Sequence, residues 1–135
     1  MELELIHQPP QKMKFKHPLL FLHGAFSGAW CWKENYLDYF ASQGFGCLAL
    51  SLRGHGESKS HKPLDRLSLR DYQEDLFSVI DQFEAPPLII GHSMGAYLVQ
   101  QVQQSEKIHS ALALCWKQAG WLDHQHNCHQ QINHH

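Results

Sequence analysis

Gly91-His92-Ser93-Met94-Gly95 follows the apolar run Leu88-Ile89-Ile90, itself introduced by Pro86-Pro87, and leads into Ala96-Tyr97-Leu98-Val99-Gln100-Gln101-Val102. The first run suits a strand and the last segment suits a helix. A strand, a sharp turn carrying a serine in the pattern Gly-x-Ser-x-Gly, then a helix make a nucleophile elbow. The turn is so tight that the residues flanking the serine must be small, a condition that Gly91 and Gly95 meet. Such a turn holds the Ser93 hydroxyl exposed in a strained conformation. The helix N-terminus behind it favours developing negative charge.

Working outward, the same strand-then-loop order recurs. Pro18-Leu19-Leu20-Phe21-Leu22 is a continuous apolar run ending in His23-Gly24, the pattern of a buried parallel strand. Phe45 to Leu52 is a second run, closed by Arg53-Gly54-His55-Gly56-Glu57-Ser58, and Ala111 to Cys115 is a further strand candidate. Leu3 to Ile6 and Met13 to Lys16 are read as short strands ahead of the core. Trp32, Tyr36, Leu37 and Phe40 fall at helical spacing, with Gly44 as the stop. Ser60 to Leu67 reads as loop. Ser68-Leu69-Arg70-Asp71 resembles a capping box with Asp in the Glu position, and Leu69, Tyr72, Leu76, Ile80 and Phe83 then line one helical face. The alternation predicts an α/β fold, a partial doubly wound, mostly parallel sheet with right-handed crossovers and helices on both faces. Binding loops gather at one edge of such a sheet. Residues 1–17 are assigned to N-terminal strands, 18–116 to the core, and 117–135 to a His/Gln/Asn-rich tail expected to be disordered.

Composition narrows the function. With 135 residues and 43% hydrophobic content, one globular domain is the natural reading. A formal net charge of −2 gives no electrostatic case for nucleic acid or an anionic membrane. Met1-Glu2-Leu3-Glu4 is acidic where a signal peptide would be basic, and no long apolar run follows, so the expected setting is cytoplasmic, with no membrane span. The four cysteines, Cys31, Cys47, Cys115 and Cys128, show no disulfide or zinc-ribbon spacing. Cys47 and Cys115 lie inside apolar runs and read as core thiols.

Three ordered motifs resemble the N-terminal half of an α/β-hydrolase: His23-Gly24-Ala25, Arg53 to Ser58, and Gly91 to Gly95. The likeness covers roughly Pro18 to Cys115. The stretch His23 to Trp32 resembles bacterial and plant members that act as esterases or small acyl hydrolases. The resemblance implies a serine hydrolase scaffold that cleaves a small ester or related acyl compound through an acyl-enzyme, without cofactor or metal. It implies Ser93 as nucleophile and the Met94 backbone N–H as one oxyanion-hole donor, the second coming from Ala25 or Phe26. Gly24, Trp30 and His92 are substrate-pocket candidates, with Phe26 and Met94 as further pocket wall. His23 is expected to order the oxyanion loop, Arg53 to anchor its own loop by an ion pair, and His55 and Glu57 to be structural. Serine at the elbow argues against the branches that use a carboxylate there, the haloalkane dehalogenases and epoxide hydrolases.

The C-terminal part departs from that pattern. A serine hydroxyl needs a general base and the base needs an orienting carboxylate, placed in this family in the order Ser, Asp or Glu, His. Only 42 residues follow Ser93, where one-domain sheets of this kind run to about 250 in all. In residues 118–135, eleven of eighteen are His, Gln or Asn. One reading is a frameshift, premature stop or gene-boundary error after about Trp116. A second is metal binding through Asp123, His124, His126, Cys128 and His129, though their spacing matches no structural zinc pattern. A third makes Asp123 with His124 or His126 a shortened triad. Loss of later strands and lid predicts weak or no turnover and self-association. The alternatives are a non-catalytic binding or regulatory remnant, or a half-domain needing a complementing chain.

Overall fold

The computed structural model describes residues 3–114; Cys115, Trp116, Cys128 and every tail candidate lie outside them. Five strands form one sheet: β1 (Leu5–Gln8), β2 (Leu19–Leu22), β3 (Cys47–Leu50), β4 (Leu88–His92) and β5 (Ser110–Leu114). Their spatial order is β1-β3-β2-β4-β5. β1 runs antiparallel to β3, and the other pairings are parallel.

Alternation along the strands builds two cores. Leu20 and Leu22 of β2 join Leu50 and Ile89 on one face. There they meet Tyr72, Leu76 and Val79 of α2 (Leu69–Ile80) and Leu98, Val99 and Val102 of α3 (Met94–Val102). Leu19 and Phe21 face the other way, against Ala49, Ala29, Trp32 and Leu37. That second layer is one continuous helical segment. It passes from a 3-10 turn (Ala29–Trp32) through a π turn (Lys33–Leu37) into α1 (Asp38–Ser42) and stops at Gly44, φ +106°. The β2 run is uniformly apolar because both its faces are covered, and all four of its residues are buried.

Three local expectations need correction. Met13–Lys16 is not a strand. β1 already occupies the free edge of β3, so this segment folds over the end of α1, with Lys14 N and Phe15 N donating to Gly44 O at 3.0 and 3.3 Å and Phe15 stacked on Phe45 at 4.1 Å. The loop 60–67 contains a 3-10 turn, Leu64–Arg66. On α2, Leu69 is 37% exposed at the first turn, and the buried face instead includes Asp71 and Asp75, drawn inward by Arg53. The capping box is present as read: the Ser68 side chain accepts from Asp71 N, and the Asp71 carboxylate accepts from Ser68 N at 2.9 Å.

Candidate active site

The three motif loops meet at the edge where β2, β3 and β4 end. Ser93 is the N-cap of α3, with φ 57° and ψ −114°. L-residues rarely adopt that backbone, so the turn stores strain and keeps the side chain exposed. The flanking glycines have no room for a side chain. A Cβ on Gly91 would clash with Gly95 O and lie 2.6 Å from Val99 Cγ2, and one on Gly95 would lie 2.6 Å from Leu22 O and 2.8 Å from His23 O. α3 therefore starts directly against the end of β2, and its first N–H, on Met94, opens at the serine. The Met94 side chain is half-buried and packs on the α2/α3 core.

Gly24 brings the second loop to this point. A Cβ there would sit 3.1 Å from Ser93 Cβ and 3.4 Å from His92 O. Beyond it, Ala25 and Phe26 are exposed, and Phe26 is held at φ 60° with 86% of its surface open. Trp30 is 60% exposed on the same segment. His92 is half-buried, its ring edge-on to Trp32 at 6.5 Å, and burial holds its pKa below the ordinary histidine value.

His23 is fully buried and its tautomer is fixed by its neighbours. Nδ1 donates to Gly24 O at 2.6 Å, and Nε2 accepts from Leu52 N at 2.9 Å. Burial, with the nearby His55 ring, outweighs the Gly24 bond and pushes its pKa down to about 4. The ring is a neutral brace. His55 is also buried, with Nδ1 donating to Arg53 O at 3.1 Å and its ring 4.9 Å from that of His23. Glu57 is exposed, and its backbone N–H donates to Glu4 Oε1.

Arg53 anchors its loop as expected. Its Nε and Nη2 donate to Asp75 Oδ1 at 3.0 and 2.8 Å, its backbone N donates to Asp75 Oδ2 at 2.8 Å, and Asp71 and Glu74 stand at 3.4 Å. The Asp75 bonds raise the guanidinium pKa above its already high value. Asp71 and Asp75 stand four apart on α2, a spacing that could have paired them with Arg53 from sequence. Glu4 and Ser51 carry no such signal; no local pattern joins residues so far apart in the chain.

Among the described residues, no histidine is hydrogen-bonded to Ser93 Oγ and no group of three His, Cys, Asp or Glu is placed to hold a metal ion. Asp123, His124 and His126 lie outside those residues. A cleft of about 630 Å³, lined by Pro10, Met13, Phe15, Cys47 and Phe83, opens at the opposite sheet edge, where β2 and β3 begin. It shares nothing with the elbow. The strained backbone and exposed side chain of Ser93 set this edge apart from that cleft.

A model of the alpha/beta hydrolase family matches residues 19–130, past Trp116. The chain belongs to the α/β-hydrolase family. Protein phosphatase methylesterase 1 of Homo sapiens is 34% identical over 101 residues, covering 72% of this chain and 26% of that protein. Methylesterase 18 of Arabidopsis thaliana is 29% identical over 82 residues, 59% of this chain and 30% of the relative. Monoacylglycerol lipase of Paleococcus ferrophilus superposes with a TM-score of 0.72 at 22% identity, covering 84% of this chain and 43% of its own, a likeness of fold. The chain thus spans about a quarter of the length of the curated relatives it matches. Among the described residues, no helix of this hydrolase-family chain is long and apolar enough to cross a membrane.

Proposed function

We propose that Ser93 is the nucleophile of a carboxylic-ester hydrolase scaffold working through an acyl-enzyme. The observation that carries this is the positive φ of Ser93 at the start of α3, in a turn that excludes any side chain at Gly91 or Gly95. Strain of that kind persists where a site uses it. In the proposed reaction Ser93 Oγ bonds to the acyl carbon as its proton passes to a base. The carbonyl oxygen becomes an oxyanion held by Met94 N–H and by Ala25 or Phe26 N–H. The alcohol then leaves with the proton, and water releases the acid. Gly24 allows the approach, while Phe26, Trp30 and His92 flank the substrate. Two relatives are named methylesterases, which favours a methyl ester of a carboxylic acid as the substrate class.

The base and its carboxylate are not among the described groups around Ser93; residues 115–135 and another chain are two sources weighed for them. Asp123 with His124 or His126 keeps the family order for the first source. For the second, β5 is the outermost strand of the described sheet and offers a parallel edge for self-association or a complementing half-domain. The 135 residues alone are then weak catalysts, because oxyanion hole and binding leave only residual activity without the base. Residues 18–116 form the core in this proposal and 117–135 a separate tail. The same proposal places the protein in the cytoplasm. The test is p-nitrophenyl acetate hydrolysis by the native chain and by Ser93→Ala. A slow rate that disappears in the variant is expected; equal rates would assign it to background histidines and end the proposal.

A further inference from the structure

The loop from Gly24 to Gly28 has few bonds of its own. Within it, Ser27 N donates to Gly24 O at 3.3 Å, and Phe26 is held at positive φ. Its shape must be imposed from its ends, and both ends are fastened to consecutive residues just after β3. At the start, His23 Nδ1 holds Gly24 O while His23 Nε2 takes Leu52 N. At the finish, Ala29 N opens the 3-10 turn, and the N-cap Gly28 has no side chain to satisfy it. Ala29 N donates instead to Ser51 Oγ at 2.8 Å, across 22 residues, in a buried bond.

Ser51 is fully buried, and its hydroxyl donates in turn to Glu4 Oε1 at 2.7 Å. A hydroxyl that gives its proton to a carboxylate becomes a better acceptor for the amide behind it. Glu4 is itself fixed. Glu57 N donates to the same Oε1 at 3.1 Å, Glu4 N donates to Ser58 Oγ at 2.7 Å, Ser51 N donates to Glu4 O at 3.0 Å, and Ser58 Oγ donates to Ser51 O at 2.5 Å. A Cβ on Gly56 would meet both Ser51 Oγ and Glu4 Oε1, so position 56 is closed to any side chain. Among the described residues no hydrogen bond joins this cluster to Ser93, and the bond from Ser51 N to Glu4 O continues the β1–β3 pairing one residue past Leu5 and Leu50.

We infer that Ser51 and Glu4 are positioning residues of the site, a buried hydroxyl–carboxylate relay that sets the Ala29 end of the oxyanion loop opposite the His23 brace. The inference rests on Ser93 as the nucleophile. It predicts an effect on the transition state more than on binding, because misplaced N–H donors miss the oxyanion while the ester still docks.

The test compares Ser51→Ala, Glu4→Gln and the double variant Ser51→Asp with Glu4→Gln in the full chain, with Ser93→Ala as control. Two readouts are taken: amide hydrogen exchange at residues 24–29, and the acylation rate constant and KM for p-nitrophenyl acetate. In Ser51→Ala the Ala29 amide is expected to exchange at least about tenfold faster, and acylation to fall about tenfold to a hundredfold with KM within about twofold. Glu4→Gln keeps an acceptor for Ser51 Oγ and should lose about threefold. In the double variant a carboxylate at position 51 takes the Ala29 N–H directly, and the side-chain amide introduced at position 4 can donate to it. Its acylation should return to within about threefold of native. Unchanged Ala29 exchange, unchanged acylation, or a loss confined to KM would overturn the inference. If Ser51→Ala does not fold, Glu4→Gln and the double variant decide it by the same criteria. A native chain with no Ser93-dependent rate refutes the nucleophile assignment instead, and the exchange data still decide whether Ser51 anchors the loop.

Discussion

Between pH 7 and pH 4, protonation of His23 works against the fold. The ring is fully buried, its Nδ1–H is used on Gly24 O, and its only other nitrogen accepts from Leu52 N. A second proton would land on Nε2, facing a donor. The folded pKa lies at about 4 against 6.5 for the free side chain, a difference worth roughly 3 kcal/mol. The sign follows from which state binds the proton. At pH 7 the imidazole is neutral in both states, and the full stability is present. Below pH 6.5 the unfolded chain takes up a proton and the folded chain does not, so stability falls by up to about 1.4 kcal/mol per pH unit. The loss is complete once the pH passes the folded pKa near 4. His92, lowered by burial, acts in the same direction, and Asp71 adds acid sensitivity at lower pH through its bond from Ser68 N. Both remain in His23→Gln, which cannot titrate at 23. Urea unfolding followed by tryptophan fluorescence should be run on both proteins from pH 7 to 4. The stability difference between them should shrink by roughly 3 kcal/mol over that range. A difference flat to within about 0.5 kcal/mol would refute the buried neutral brace.

Further outcomes follow from the same geometry. Asp75→Ala removes the short bonds to Arg53 Nε, Nη2 and backbone N and leaves Asp71 and Glu74 at 3.4 Å, and it should destabilise by about 2 kcal/mol in urea. Gly95→Ala drives a methyl to 2.6 Å from Leu22 O and should lower stability by about 3 kcal/mol, seen as a reduced urea midpoint. Ser93→Gly relaxes φ 57° and should raise stability by about 1 kcal/mol while removing any ester hydrolysis.

The strands β2 to β5 are legible because buried parallel strands leave unbroken apolar runs, and α2 because Ser68 and Asp71 announce its start. Met13–Lys16 misleads because a strand needs a free edge, and which edge is free is a property of the whole sheet. The first helical layer is visible in the spacing, but its passage from 3-10 through π to α is not, since Trp32 and Leu37 must both reach the sheet. At the site, Ser93, Gly24 and the role of Arg53 are visible in motifs. The partners that fix those motifs are not: Asp75 lies 22 residues from Arg53, and Glu4 lies 47 from Ser51. Long-range hydrogen bonds depend on which loops share a sheet edge, and no local window contains that.

Peptide mass spectrometry of the chain after exposure to p-nitrophenyl acetate tests Ser93 most directly. Where no base is placed to activate water, deacylation is slow and the acetyl group should remain on the enzyme. An acetyl adduct on Ser93 is expected, formed by the folded chain and abolished by urea. Acetyl groups spread over lysines and histidines, with Ser93 unmodified in the folded chain, would overturn its assignment as the nucleophile.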